Sequence, residues 1–245
     1  MAAHVRAGEA PPVVFISQLD SGADVWEPVP GKLSTGVTTV TYDRPGTGGA
    51  PPRRALYQPL PHSAFAGELA DLLDEAAVTE PAIIVGHSFG GNIARLFADR
   101  HPARVAGMVY IDCSIPRQRL WDGLTPIKDG GTPLDMVVGE VEVLRAVPPA
   151  VPSIVVASEA HRWNEPLPHP AITDLWETYQ QILARRSGAP LIIAEGVGHQ
   201  IPADAPELVA HCVDAVVRAV RAGLPLAVDA VELAALGGRL TTPGR

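Results

Sequence analysis

The stretch Val85-Gly86-His87-Ser88-Phe89-Gly90-Gly91 sets a serine in a Gly-x-Ser-x-Gly pattern, after the apolar run Ala82-Ile83-Ile84-Val85 and before a helix-like segment. Strand, sharp turn and helix in that order suit a nucleophile, because small neighbours permit a strained turn that lifts the Ser88 hydroxyl clear of the backbone. A serine hydroxyl is a weak nucleophile near neutral pH and needs a general base, most often a histidine held in the correct tautomer by a carboxylate. Of the eight histidines, His199 has the right setting: Gly196-Val197-Gly198-His199-Gln200 follows the apolar run Leu191–Ala194 and precedes a helix opening at Pro206. His87 lies in the turn itself, with its side chain fixed opposite Ser88. His4, His62, His101, His161, His169 and His211 have no comparable setting.

Apolar runs of strand length recur at Val13–Ile16, Gly36–Tyr42, Ala82–Val85, Val105–Ile111, Val151–Ala157 and Leu191–Ala194, with helical patterns between them. Runs this continuous predict strands buried on both faces. The fold class is therefore α/β, a mostly parallel, doubly wound sheet covered by helices. Phe65, Leu69, Leu72 and Leu73 stand at helical spacing within 62–77, with Ser63 as the expected N-cap. Gly91 to His101 reads as a helix of about three turns that stops before Pro102. The interval from Ser114 to Pro149 breaks the rhythm with Pro116, Pro126, Pro133 and Asp129-Gly130-Gly131, and is expected to be a small cap over a pocket within one domain spanning 1–245. Trp121, Leu124 and Met136 are candidate pocket residues. Beyond Gly223, Val228, Val231, Leu233 and Leu236 suggest a last short helix or an oligomer contact such as a homodimer, and the final residues are expected to be disordered.

With 245 residues and a formal net charge of −8, the chain can bury one sizeable core and offers no basic footprint for nucleic acid or an anionic membrane. The N-terminal residues lack the apolar core of a signal peptide, and no uninterrupted apolar run is long enough to span a bilayer, so a cytoplasmic protein is expected. Cys113 and Cys212 form neither a disulfide framework nor a metal cluster, and read as buried small hydrophobes. Gly46-Thr47-Gly48-Gly49 lacks the spacing and lysine of a phosphate loop. His161, Glu165 and His169 lack metal-ligand spacing. No metal and no cofactor are expected.

Beyond the serine motif, Tyr42-Asp43-Arg44-Pro45-Gly46-Thr47-Gly48, Trp26 and Gly198-His199 resemble the α/β-hydrolase fold superfamily over nearly the whole length. The resemblance implies an oxyanion hole made by the backbone N–H of Phe89 and that of Leu19. Most relatives carry histidine-glycine where this chain has Ser17-Gln18, which leaves backbone donation intact and gives the Gln18 side chain a place at the pocket. Many relatives also carry an aspartate after the strand preceding the histidine strand. Here that stretch reads Ser158-Glu159-Ala160-His161. Two carboxylates can replace it: Asp112, at the end of the strand Val105–Ile111, or Glu159. Asp112 is preferred because strand carboxyl ends face the site in such a sheet, and Glu159 is the alternative.

The chemistry implied is hydrolysis of a small ester, lactone or thioester through an acyl-enzyme on Ser88, with a small molecule as substrate. Acyl transfer to another acceptor, a lyase or cyclase step in the same pocket, and a non-catalytic small-molecule-binding homologue are the alternatives.

Overall fold

The structure is a computed structural model that describes residues 1–54, 58–116, 126–159 and 170–241. Its strands are β1 (Ala2–Arg6), β2 (Glu9–Ile16), β3 (Val37–Asp43), β4 (Ala82–His87), β5 (Val105–Ile111), β6 (Lys128–Asp129), β7 (Thr132–Pro133), β8 (Ser153–Ser158), β9 (Leu191–Ala194) and β10 (Gly238–Thr241). All but β6 and β7 join one eight-stranded sheet in the order β1-β3-β2-β4-β5-β8-β9-β10, while β6 and β7 form a separate hairpin. The six inner strands run parallel, and β1 and β10 close the edges antiparallel. Every residue of β4 and β8 is buried, as continuous apolar runs require when helices cover both faces.

The helices are α1 (His62–Glu75), α2 (Phe89–Arg100), α3 (Met136–Arg145), α4 (Pro170–Ser187), α5 (Ile201–Asp204), α6 (Pro206–Ala222) and α7 (Ala230–Ala235). On one face Phe65, Leu69 and Leu73 of α1 and Ile93 and Phe97 of α2 join the core, with Leu183 of α4. On the other face Val209, Val213 and Val216 of α6 and Leu233 of α7 pack against the sheet. Each fully buried side chain of this kind stabilises the fold by about 1.5–3 kcal/mol before the entropy cost of ordering it. The six expected strands and the helices over 62–77 and 91–101 are all present, with ends shifted by a few residues.

Some expectations change. Ser63 is not the N-cap of α1: Pro61 holds that position without a side-chain bond, and Glu142 of α3 instead accepts the Ser63 amide at 3.0 Å. A carboxylate from another element thus serves the positive end of the helix. The tail folds back on the body, with Leu233 fully buried and Val228 and Leu236 packed against the core, although Val231 is exposed. The last four residues, 242–245, lie outside the described residues. Cys113 and Cys212 are free and buried, and burial pushes both thiols up to about 12.

Within the expected cap, α3 is fastened at both ends. Asp135 caps its N-terminus through the Val138 amide, Arg95 donates to the Val143 carbonyl at 2.8 Å, and Arg186 donates to those of Leu144 and Ala146. Cations at the last carbonyls oppose the negative end of the helix. No helix among the described residues is long and apolar enough to cross a membrane.

Candidate active site

Strand order reverses between β2 and β4: the chain leaves β2 for β3 on one side and returns to β4 on the other. A crevice at the carboxyl ends of the strands opens at such a switch point. The register brings its parts together, since Ile16 pairs with Gly86, His87 with Ile111, and Ile111 with Val156. The residues that follow these positions leave adjacent strands at one level.

Ser88 sits between β4 and α2 at φ 53° and ψ −119°. This conformation is costly for a residue with a side chain and persists only where its surroundings enforce it. Ser88 donates its amide to the Ile111 carbonyl at 3.0 Å, and its carbonyl accepts from the amides of Gly91 and Ser114 at 2.9 and 3.0 Å. The flanking glycines are needed for close approach. A Cβ on Gly86 would meet the Gly90 carbonyl oxygen at 2.6 Å, and one on Gly90 would collide with the Ile16 carbonyl.

His199 reaches over this turn, its Nε2 3.0 Å from Ser88 Oγ and its Nδ1 2.6 Å from Asp112 Oδ2. A carboxylate only accepts, so Nδ1 carries the proton and Nε2 is free to receive one from Ser88. Asp112 is wholly buried at the end of β5. Besides His199 it accepts the Ser158 amide at 3.1 Å, the Ser158 hydroxyl at 2.8 Å and the Trp176 indole N–H at 2.9 Å. Burial alone would raise its pKa, but these hydrogen bonds outweigh it, with that from His199 the largest, and hold the carboxyl below its usual range. Trp176 also sets its ring edge-on to the imidazole at 5.5 Å.

Glu159 plays a different part. Its Oε2 accepts the Gly196 amide at 2.9 Å, and its own amide donates to the Val197 carbonyl, so it braces the loop that carries His199. The carboxylate at Nδ1 of His199 is Asp112. His87 supports the same loop by donating from Nε2 to the His199 carbonyl at 2.8 Å. Burial drives the His87 pKa down to about 3, so this donor stays neutral.

Phe89 is the first residue of α2, where the amide has no acceptor within the helix. Leu19 is half-buried in the loop after β2. That loop is held by Arg44, whose guanidinium donates to the Ser17 and Gln18 carbonyls at 2.9 and 2.6 Å and pairs with the fully buried Asp129 of the β6–β7 hairpin at 2.7 Å. Asp129 also accepts the Asp20 amide. The Gln18 side chain reaches across to Gln200, next to His199, in a reciprocal amide pair at 3.0 and 3.3 Å. Met136 is half-buried and packs against the core cluster that contains Phe89. Trp121 and Leu124 lie outside the described residues, as do His161, Glu165 and His169.

The sequence profile of the alpha/beta hydrolase family matches residues 13–211, which takes in every residue placed at this site. The chain belongs to the alpha/beta hydrolase family. Its fold is shared with an alpha/beta hydrolase fold protein from Burkholderia ambifaria (TM-score 0.65, 17% identity, covering 86% of this chain and 92% of the other). It is shared also with a thermophilic esterase from Thermogutta terrifontis (TM-score 0.60, 18% identity, covering 89% and 93%). In sequence, a Variovorax paradoxus protein named as a candidate carbamate hydrolase, RutD, is 35% identical over 106 residues, 43% of this chain and 38% of that one. An uncharacterized Mycobacterium tuberculosis protein is 31% identical over 105 residues, 43% of this chain and 30% of that one. The matched stretches thus span little more than a third of these relatives at most.

Within this alpha/beta hydrolase, sequence reasoning missed Ser114, Ser158, Trp176 and Asp129. Ser158 was accessible in principle, since it leaves β8 beside Asp112 once the strands are in register. Trp176 and Asp129 approach from segments whose packing no local pattern announces.

Proposed function

We propose that this protein is a serine hydrolase that cleaves a small carboxylic ester, lactone or thioester through an acyl-enzyme on Ser88. The observation that carries this reading is the unbroken chain from Ser88 Oγ through both nitrogens of His199 to a buried carboxylate on Asp112. In the proposed reaction His199 Nε2 takes the Ser88 proton as Oγ attacks the acyl carbon, then passes it to the departing alcohol or thiol. Water, deprotonated in turn by His199, attacks the acyl-enzyme and releases the acid. Asp112 holds the imidazole in the productive tautomer and stabilises it while it is charged. The amides of Phe89 and Leu19 receive the negative charge of each tetrahedral intermediate, at a cost of about 10²–10³ in rate for each donor lost. The esterase fold relative and the RutD relative named for carbamate hydrolysis support acyl chemistry at a carbonyl.

The test is labelling by a fluorophosphonate together with turnover of short-chain p-nitrophenyl esters. Wild type should show both, and Ser88→Ala neither. A wild-type protein that is folded yet unlabelled and inert, while small apolar ligands still raise its melting temperature, would be a binding protein and not a hydrolase.

A further inference from the structure

We propose that Ser114 is a further catalytic residue, a hydroxyl that donates to Ser88 Oγ and eases its departure from the acyl-enzyme; this rests on Ser88 being the nucleophile. Ser114 lies two residues past Asp112, is 2% exposed, and places its Oγ 3.2 Å from Ser88 Oγ. Its backbone is fixed on both sides. The Ser114 amide donates to the Ser88 carbonyl, and the preceding Cys113 carbonyl accepts from Gln180 Nε2 at 2.8 Å. Asp112, at φ 40°, turns the chain so that it passes directly beside the nucleophile.

Counting hydrogens decides which hydroxyl donates. Ser88 has one, and it goes to Nε2 of His199, which is bare because Nδ1–H is committed to Asp112. The hydrogen between the two serines therefore belongs to Ser114. It occupies one lone pair of Ser88 Oγ and leaves the other for the acyl carbon.

The contact changes strength through the proposed cycle. In the free enzyme Oγ is a hydroxyl oxygen and already a good acceptor. In the acyl-enzyme it is the alkyl oxygen of an ester and a poor one. When water has added and the intermediate collapses, the carbon–Oγ bond breaks, the electron pair returns to Oγ, and His199 delivers the proton to it. Ser114 keeps its own proton and serves only as donor. Charge grows on Oγ during that step, so the hydrogen bond strengthens most between acyl-enzyme and its transition state. In acylation the gain is smaller, because the starting hydroxyl already accepts the bond. Ser114 thus favours deacylation over acylation.

The experiment compares wild type, Ser114→Ala, Ser114→Thr and Ser114→Cys by stopped-flow with p-nitrophenyl acetate. For Ser114→Ala, kcat should fall about tenfold, as loss of a hydrogen bond to a charged group predicts. KM should fall in parallel and leave kcat/KM nearly unchanged, while the nitrophenol burst rises toward one equivalent per protein. Threonine keeps the hydroxyl and should restore kcat. Cysteine, a weaker donor, should fall between and reports the effect should the alanine variant not fold. A merely structural role would lower kcat and kcat/KM together, with threonine no better than alanine, and would overturn the proposal. Fluorophosphonate labelling separates the two readings: an unlabelled wild type refutes the nucleophile assignment, whereas labelled variants with unchanged burst and kcat refute Ser114 alone.

Discussion

Two buried imidazoles should make this fold lose stability in mild acid, before its carboxylates titrate. His62 is fully buried between Phe89 and α3, neither ring nitrogen has a hydrogen-bond partner among the described residues, and burial lowers its pKa from 6.5 to about 4. His87 is likewise buried and lowered to about 3. In the native state both stay neutral, whereas in the unfolded chain each binds a proton as pH falls through 6.5. The unfolded state therefore takes up more protons, and stability must fall with pH. Integrated from pH 7.5 to 5, the free energy lost is about 2 kcal/mol for each histidine, given native values of about 4 and about 3. His62→Leu isolates one of them, since the ring makes no hydrogen bond among the described residues and leucine is of similar size. Thermal unfolding followed by circular dichroism at the two pH values is the assay. The wild type should drop relative to the variant by roughly 4–8 °C on going to pH 5, as about 2 kcal/mol implies for a chain of this size. A gap between wild type and variant that is the same at both pH values would refute the reasoning, since it would mean that His62 protonates equally in both states.

Asp112→Asn should lower kcat for ester hydrolysis by about 10⁴, the scale of losing the orienting carboxylate in a serine triad, while Glu159→Gln should cost less than about tenfold, the scale of a single loop-bracing hydrogen bond; the reverse ranking in steady-state kinetics would exchange their roles. Asp129→Asn leaves the buried Arg44 guanidinium uncompensated and should destabilise by about 3–5 kcal/mol in urea unfolding, a loss that a surface ion pair would not give.

The legible parts of this molecule are those in which one segment carries its own signal. β4, β5, β8 and β9 are buried on both faces and so read as continuous apolar runs, and the glycines at 86 and 90 mark the turn because backbone approaches there. Ser88 and His199 inherit their legibility from those runs. β1 did not announce itself, because four of its five residues are exposed and it is ordered by antiparallel pairing with β3. β10 is similar, with Arg239 and Leu240 exposed. The choice between Asp112 and Glu159 depended on three-dimensional register, since both follow strands that end at the same edge of the crevice. Only the pairing of β5 between β4 and β8 puts Asp112 beside the nucleophile turn.

The Ser17-Gln18 segment is held by groups far away in the chain. The Gln18 carbonyl and the Leu19 N–H belong to one trans peptide plane and point in opposite directions. Arg44 binds that carbonyl at 2.6 Å from the buried side, so the same bond turns the Leu19 amide away from Arg44. Asp129 keeps the guanidinium in place and takes the Asp20 amide, which fixes the plane on its other flank. The direction of the proposed oxyanion donor is thus set by Arg44 and Asp129, and the side chain at position 18 is released from that task. A glycine there would have no side chain to reach Gln200. Gln18 instead pairs with Gln200, so the loop after β2 is tied to the residue next to His199 by two mutual carboxamide hydrogen bonds.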